Sequence, residues 1–335
     1  MEDLHVTLAH GNGGRLMREL IEEIFVRQLR NPQLDMTLDA TPLDLTTNGT
    51  LCVTTDGFTV QPLEFPGGNI GSLAINGTVN DLAVSGAVPK FLTLSAIIEE
   101  GLEIAVLERI VCSLAATARE ACIDVVAGDT KVVPRGAGGG LYLSTTGLGV
   151  RPVAVDLGLS RIRAGDRILV SGPVGDHGIC VLLARESFDL RGAVRTDCAA
   201  VTCLTRPMAV RPGTRFMRDP TRGGLATVAH EIAMATGLTV RLDEASIPVR
   251  SEVRTVCDIL GYDPYYLACE GRVVLVAAPE FAAEALAQWR SMPEGQHAAD
   301  IGQVETGRPS VILATEVGGE RLLEQLEDDP LPRIC

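Results

Sequence analysis

Phe65-Pro-Gly-Gly-Asn-Ile-Gly71 runs directly into Ser72-Leu-Ala-Ile-Asn-Gly-Thr-Val-Asn-Asp-Leu-Ala-Val-Ser85, and past Gly86 into the apolar run Lys90-Phe-Leu-Thr-Leu-Ser-Ala-Ile-Ile98. A glycine turn, a segment of helical pattern and a strand follow one another without a gap, and the rest of the chain keeps that grammar. Upstream, Leu16, Leu20 and Ile24 at i, i+4 and i+8 predict an amphipathic helix over Arg15–Arg30, opening after His10-Gly-Asn-Gly-Gly14. Thr50–Thr55 reads as a strand ending at Asp56-Gly57. Downstream come a second long helix over Ile104–Ala121, a strand over Asp124–Ala127, a loop at Gly128-Asp-Thr-Lys131, a turn at Arg135–Gly140 and a strand over Leu141–Val150. The alternation predicts an α/β fold.

The second half repeats it. Gly165-Asp166 precedes strand Arg167–Ser171 and Gly172-Pro-Val-Gly-Asp-His-Gly178, and Arg218-Asp-Pro-Thr-Arg-Gly-Gly224 introduces helix Leu225–Thr236. Strand Leu238–Leu242, helix Arg250–Leu260, strand Arg272–Ala278 headed by Glu270, helix Glu280–Ser291 and strands near Gln303 and Val311 complete it. At roughly 150 residues per domain, 335 residues suggest two domains, divided here as 1–155 and 156–315, with 316–335 as a tail. Within the tail, Leu322, Leu323 and Leu326 support a short helix over Gly318–Asp329. Pro330 and Pro332 fix φ and bias their predecessors away from helix, so Leu331–Cys335 should be extended. Drawn out from Gly318 to Cys335, the tail would span on the order of 60 Å at ~3.3 Å per residue, enough to visit more than one active site. A frayed terminus is the other reading.

Composition narrows the function. Hydrophobic residues make up 46% of the chain, enough for two cores, while 29 Lys+Arg against 43 Asp+Glu give a net charge of −14. Nucleic-acid binders need a basic face, and this balance points away from one. Apolar runs such as Val273–Pro279 fall far short of the ~20 residues of a membrane helix, and the N-terminus lacks the pattern of a signal peptide. Nine cysteines with no CxxC pair read as reduced thiols of a cytoplasmic protein, buried as small hydrophobes. Cys335 is the exception, because a chain's last residue is rarely in a core.

No Walker A, GxGxxG, HExxH or GxSxG motif is present. What remains is a set of carboxylates beside glycine or amide residues: Asp56, Asp81 after Asn80, Asp129 and Asp219. Acids gathered from separate loops suit Mg²⁺ held together with substrate phosphates. Gly67-Gly68-Asn69 opens a helix whose N–H groups could cradle phosphate. Each alone also reads as a turn or, for Asp219, a helix cap. Lys131, two residues after Asp129 and on the same face of an extended segment, suits stabilisation of transferred charge. Glu270 reads as a buried base or as a strand-end acid, and His10 and His177 as loop hydrogen-bonders.

In order, the motifs are His10–Gly14, Phe65–Gly71, Asn76-Gly-Thr-Val-Asn-Asp-Leu-Ala-Val-Ser-Gly86, Gly128–Lys131, Gly175–Gly178, Asp219–Gly224 and the terminal Pro332-Arg-Ile-Cys335. Over nearly its whole length the chain resembles the HypE family, the carbamoyl dehydratases of nickel–iron hydrogenase maturation. The terminal tetrapeptide separates that family from aminoimidazole-ribonucleotide synthetase, selenophosphate synthetase and thiamine-monophosphate kinase, which share the nucleotide motifs. The resemblance implies a two-domain α/β, PurM-like fold in which residues 1–155 bind ATP and dimerise through a β-sheet, followed by an α/β domain and the tail. It implies that a HypF-type carbamoyltransferase loads a carbamoyl group onto Cys335, that ATP drives its dehydration to a thiocyanate, and that the cyano group passes to iron on a HypC–HypD-type complex. By the same resemblance Lys131 and Glu270 serve the dehydrating centre; Gly67, Gly68, Asn69, Asp81, Asp129 and Asp219 bind ATP; and Asp56, Asp81, Asp129 and Asp219 hold Mg²⁺. The competing readings are another ATP-dependent synthetase or kinase of the same superfamily, or a non-catalytic module with a docking tail.

Overall fold

The computed structural model describes residues 3–12, 14–34, 40–43, 48–185, 194–327, 331 and 334–335. The first half is built on four strands in the order Gly49–Phe58, Leu141–Pro152, Val88–Glu99, Asp124–Val133. Neighbours are antiparallel except Asp124–Val133, which runs parallel to Val88–Glu99 and is reached through helix Ile104–Glu120. That helix buries a stripe of Leu107, Ile110, Val111, Leu114 and Ala118, the spacing an amphipathic helix needs to cover one sheet face. Helix Ile70–Val84 is buried along nearly its whole length, because sheet, neighbouring helix and second half all press on it. Gly71 allows the closest approach: a Cβ there would meet the Ile110 carbonyl oxygen at 2.4 Å. The predicted helix over Arg15–Arg30 is present as Arg15–Leu20, a π-helical Ile21–Val26 and Arg27–Leu29.

Gly128-Asp-Thr-Lys131 is not a loop. It continues the strand, with Gly128 to Lys131 paired against Leu94 to Ile97; the ladder outweighs the turn preference of Gly-Asp. The pairing also sorts the side chains. Asp56, Thr145, Leu94 and Gly128 form one row across the sheet, and Gly57, Ser144, Ser95 and Asp129 form the next. Successive residues point to opposite faces. The first row faces the helices, where Thr145 and Leu94 are buried; the second faces the open side, where Leu51 and Val53 are 47% and 61% exposed.

The second half holds seven strands in the order Glu320–Leu322, Ser310–Ala314, Thr239–Asp243, Ala299–Glu305, Arg167–Val170, Val274–Ala277, Thr214–Arg218. Alternate residues feed two cores: Ile168, Val274 and Val276 pack with helix Gly224–Thr236, and Leu169, Leu275 and Ala277 pack with Trp289 and Leu204. The Trp289 Nε1–H donates to the Leu204 carbonyl at 3.0 Å. The helix expected over Gly318–Asp329 is absent from the described residues. Glu320–Leu322 instead pairs with Ser310–Ala314, since a helix of so few residues is marginal in water and the sheet edge offers hydrogen bonds. Pro330, Pro332 and Arg333, on which the expectation of an extended end rests, lie outside the described residues, as do 328 and 329. Leu331 and Ile334 are buried in the first-half core with Phe58, Val60 and Ile179, so the end of the chain folds back inward.

Candidate active site

The sequence scatters the candidate acids over more than 200 positions, and the two sheets gather most of them around one cavity of about 160 Å³. It is lined by Asp56, Asp81, Asp219, Arg222, Glu270 and Cys335 among others. Asp56 comes from the end of strand Gly49–Phe58, where it accepts the Gly57 N–H at 2.8 Å. Asp81 comes from the last turn of helix Ile70–Val84 and accepts from Thr54 Oγ1 at 2.7 Å. Asp219 and Arg222 come from the turn before helix Gly224–Thr236. Gly223 and Gly224 have φ of +72° and +60°, a conformation that favours glycine, and this lets the turn double back. Gly223, not Asp219, stands at the cap of that helix.

Glu270 is held by its backbone. Asn80 Nδ2 donates to the Glu270 carbonyl at 3.1 Å and to the Ala199 carbonyl at 3.0 Å, and its Oδ1 accepts the Val201 N–H at 2.8 Å. Asn80 therefore ties the first-half helix to the second half. Asp197, whose side chain is fully buried, accepts the N–H groups of Glu270 and Gly271 at 3.1 and 3.3 Å and faces Arg272 at 3.5 Å. The Glu270 carboxyl is only 2% exposed, and its Oε1 has no hydrogen-bond partner. It is not a surface acid at a strand end; strand Val274–Ala277 begins four residues later.

The electrostatics follow from packing carboxyls together out of water. Burial, then Asp197, Asp219, Asp56 and Asp81, hold the Glu270 carboxyl well above the usual range. Burial and Asp81 push Asp219 up to about 7, and burial raises Asp56. The Cys335 thiol is pushed up to about 12 by burial and by Glu270, against the pull of an Arg222 hydrogen bond.

Two sets of predicted site residues are not in this cavity. Asp129 and Lys131 are exposed on the open sheet face and pair with each other at 3.0 Å. Three strand spacings of roughly 4.8 Å separate their strand from that of Asp56, and the two acids point to opposite faces. Gly67, Gly68 and Asn69 precede helix Ile70–Val84, but Asn69 Oδ1 already accepts from the Gly71 and Ser72 N–H groups at 2.9 and 3.1 Å. That helix start is closed by its own cap. His177 is a hydrogen-bonder as expected, from within helix Asp176–Arg185 rather than from a loop. Arg222, Asp197 and the tethering role of Asn80 were missed; Arg222 sat in a quoted motif, whereas Asp197 has no sequence signal. Among the described residues no group of three His, Cys, Asp or Glu side chains is arranged to hold a metal ion, and no helix is long and apolar enough to cross a membrane.

Residues 38–151 match the family model of the AIR synthase related protein, N-terminal domain, and residues 163–314 that of its C-terminal domain. The carbamoyl dehydratase HypE of Bradyrhizobium diazoefficiens is 45% identical over 98% of this chain and 96% of its own length. A crystal structure of hydrogenase maturation protein HypE in complex with ATP superposes with a TM-score of 0.93 at 44% identity, covering 98% of this chain and 99% of that one. A chain in a crystal structure of a HypE–HypF complex superposes with a TM-score of 0.80 at 39% identity, over 92% of this chain and 99% of that one.

Proposed function

The chain belongs to the HypE family of carbamoyl dehydratases, and on that premise we propose that it converts an S-carbamoyl group on its own Cys335 to S-cyanocysteine, driven by ATP, as a source of the cyanide ligand of hydrogenase iron. The observation that carries this reading is the terminal thiol turned inward beside Glu270 in an acid-lined cavity. A carbamoyl oxygen is a poor leaving group. Its attack on the γ-phosphorus breaks the bond to ADP and makes it phosphate; breaking the C–O bond then forms C≡N as the nitrogen gives up its protons. Glu270 is the base for those protons. Burial first, and then four neighbouring acids, raise its affinity for a proton above that of an ordinary carboxylate.

Asp56, Asp81 and Asp219 line one cavity. They do not by themselves form a ready three-ligand metal site, but together with phosphate oxygens and water they would hold Mg²⁺. A cation there would offset the burial and the Asp81 charge that raise Asp56 and Asp219. Mg²⁺ supplies charge neutralisation on the phosphates. The cavity is smaller than the roughly 300 Å³ at which ligand pockets begin. Only the terminal phosphate shares it with the sulfur, and the rest of the nucleotide lies in an adjoining cleft of about 540 Å³ that shares Asp81 and carries Arg151 and Arg218.

The chain acts as a homodimer. The open face of the four-stranded sheet exposes Leu51 and Val53, and both of its outer strands lack a strand partner on one side among the described residues. A second copy closing that sheet would cover Asp129 and Lys131, and they would reach the partner's nucleotide past the end of strand Gly49–Phe58, since Asp56 points to the opposite face. The division into 1–155, 156–315 and 316–335, a HypF-type carbamoyltransferase as loader, a HypC–HypD-type complex as acceptor and a cytoplasmic setting complete the proposal; all nine cysteines are free. The test is ATP turnover after carbamoyl loading. Cys335→Ser should bind ATP normally yet release no ADP on exposure to loader and carbamoyl donor, whereas ADP release equal to wild type would discard the carrier.

A further inference from the structure

Besides the core packing of Leu331 and Ile334, two groups hold the end of the chain by its backbone. Thr59 donates to the Cys335 carbonyl twice, from N–H at 3.1 Å and from Oγ1 at 3.2 Å. His177, fully buried on helix Asp176–Arg185, meets the Ile334 carbonyl with Nε2 at 2.9 Å. A carbonyl only accepts, so Nε2 carries the proton and Nδ1 is the acceptor. Nδ1 lies 2.8 Å from Thr196 Oγ1, which donates to it and itself accepts the Cys198 N–H at 3.0 Å. The Phe65 ring stands edge-on to the imidazole, with centroids 5.5 Å apart and planes at 88°, and fixes its plane. The Ile334 carbonyl thus fixes the tautomer, and the Thr196 hydroxyl is able to match it.

We propose that His177 is a positioning residue for dehydration, which with Thr59 clamps the terminal backbone and selects the tail conformation that turns Cys335 toward Glu270. The proposal rests on the reading of Cys335 as the carrier. Because the clamp leaves the side chain untouched, it accepts the thiol, its carbamoyl form and its cyano form alike, as a carrier serving successive sites requires. Each of these hydrogen bonds is individually modest, so the clamp adds little to what must be undone, the burial of Leu331 and Ile334 included, when the tail leaves for loading.

The test is alkylation of Cys335 in the full-length, nucleotide-free protein, followed by peptide mass spectrometry, beside single-turnover loading and dehydration. A released thiol regains ordinary acidity and reacts faster. His177→Ala should raise the alkylation rate roughly five-fold, the factor that one net hydrogen bond represents, with loading unchanged or faster and dehydration slower. His177→Gln, whose amide N–H can serve the same carbonyl, should stay near wild type. Thr59→Val alters only a half-buried position and carries the same expectation if His177→Ala melts early. Equal Cys335 protection in the folded variants, or loading and dehydration falling together, would overturn the clamp. The expected alkylation pattern in a protein whose wild type never dehydrates would leave the clamp standing and remove the carrier reading instead.

Discussion

Glu270→Gln separates proton abstraction from everything else the cavity does. Glu270 is 2% exposed, its Oε1 has no partner, and burial together with neighbouring acids raises its affinity for a proton. The amide keeps the shape of the carboxyl, so the variant should fold, which a thermal melt beside wild type checks. ATP affinity should change little, since in the proposed step Glu270 works on the carbamoyl nitrogen and not on the phosphates. The chemical step is different: a positioned base contributes roughly 10²–10⁴-fold, or about 2.7–5.5 kcal/mol of barrier. The assay is intact mass of the carbamoylated protein at intervals after ATP addition. Wild type should lose the mass of one water; the variant should persist as the carbamoyl or phosphorylated species at least a hundred-fold longer, by the same estimate. Water loss within a few-fold of the wild-type rate would refute the argument and leave Glu270 a structural acid.

Other consequences are as direct. Asp219, raised from 3.8 to about 7, keeps in the folded state a proton that the unfolded chain releases, so without nucleotide stability should fall as pH rises from about 4 to about 7; thermal melts of Asp219→Asn should lack that decline, and parallel curves would contradict it. Asp129→Asn should weaken Mg–ATP binding in equilibrium dialysis while leaving carbamoyl loading of Cys335 intact; equal loss of both would make Asp129 a structural residue. If active sites are shared across the dimer, co-expressed Lys131→Ala and Glu270→Gln chains, each inactive alone, should regain about one-quarter of wild-type turnover, the statistical share of intact sites in mixed two-fold dimers. No recovery would place Lys131 in the same protomer as its Glu270, or outside the site.

The fold was legible where periodicity was strong. Helix Ile104–Glu120 appears in the spacing of Leu107, Ile110, Val111 and Leu114, and the alternation of elements gave two α/β halves. It failed where pairing partners decide the outcome. Gly128–Lys131 has turn composition yet lies in a ladder because Leu94–Ile97 offers it one, and Glu320–Leu322 has helical spacing yet takes a sheet edge. For the site, residue type and glycine context marked Asp56, Asp81, Asp219 and Glu270, but which acids share a cavity is a matter of strand register. Register alone sends Asp129 to the face opposite Asp56. Asp197 and His177 act through backbone atoms distant in sequence, and no local pattern announces such contacts.

The central claim is that ATP removes water from a carbamoyl group on the terminal thiol. It is tested most directly by loading the protein with carbamoyl labelled with ¹³C and ¹⁵N, adding ATP, and reading the C-terminal peptide by mass spectrometry. The account predicts that both labels remain on Cys335 while the carbamoyl oxygen leaves in phosphate, one ADP appearing per cyano group formed. ADP formation with the carbamoyl group unchanged, or with the labels on another residue, would contradict it.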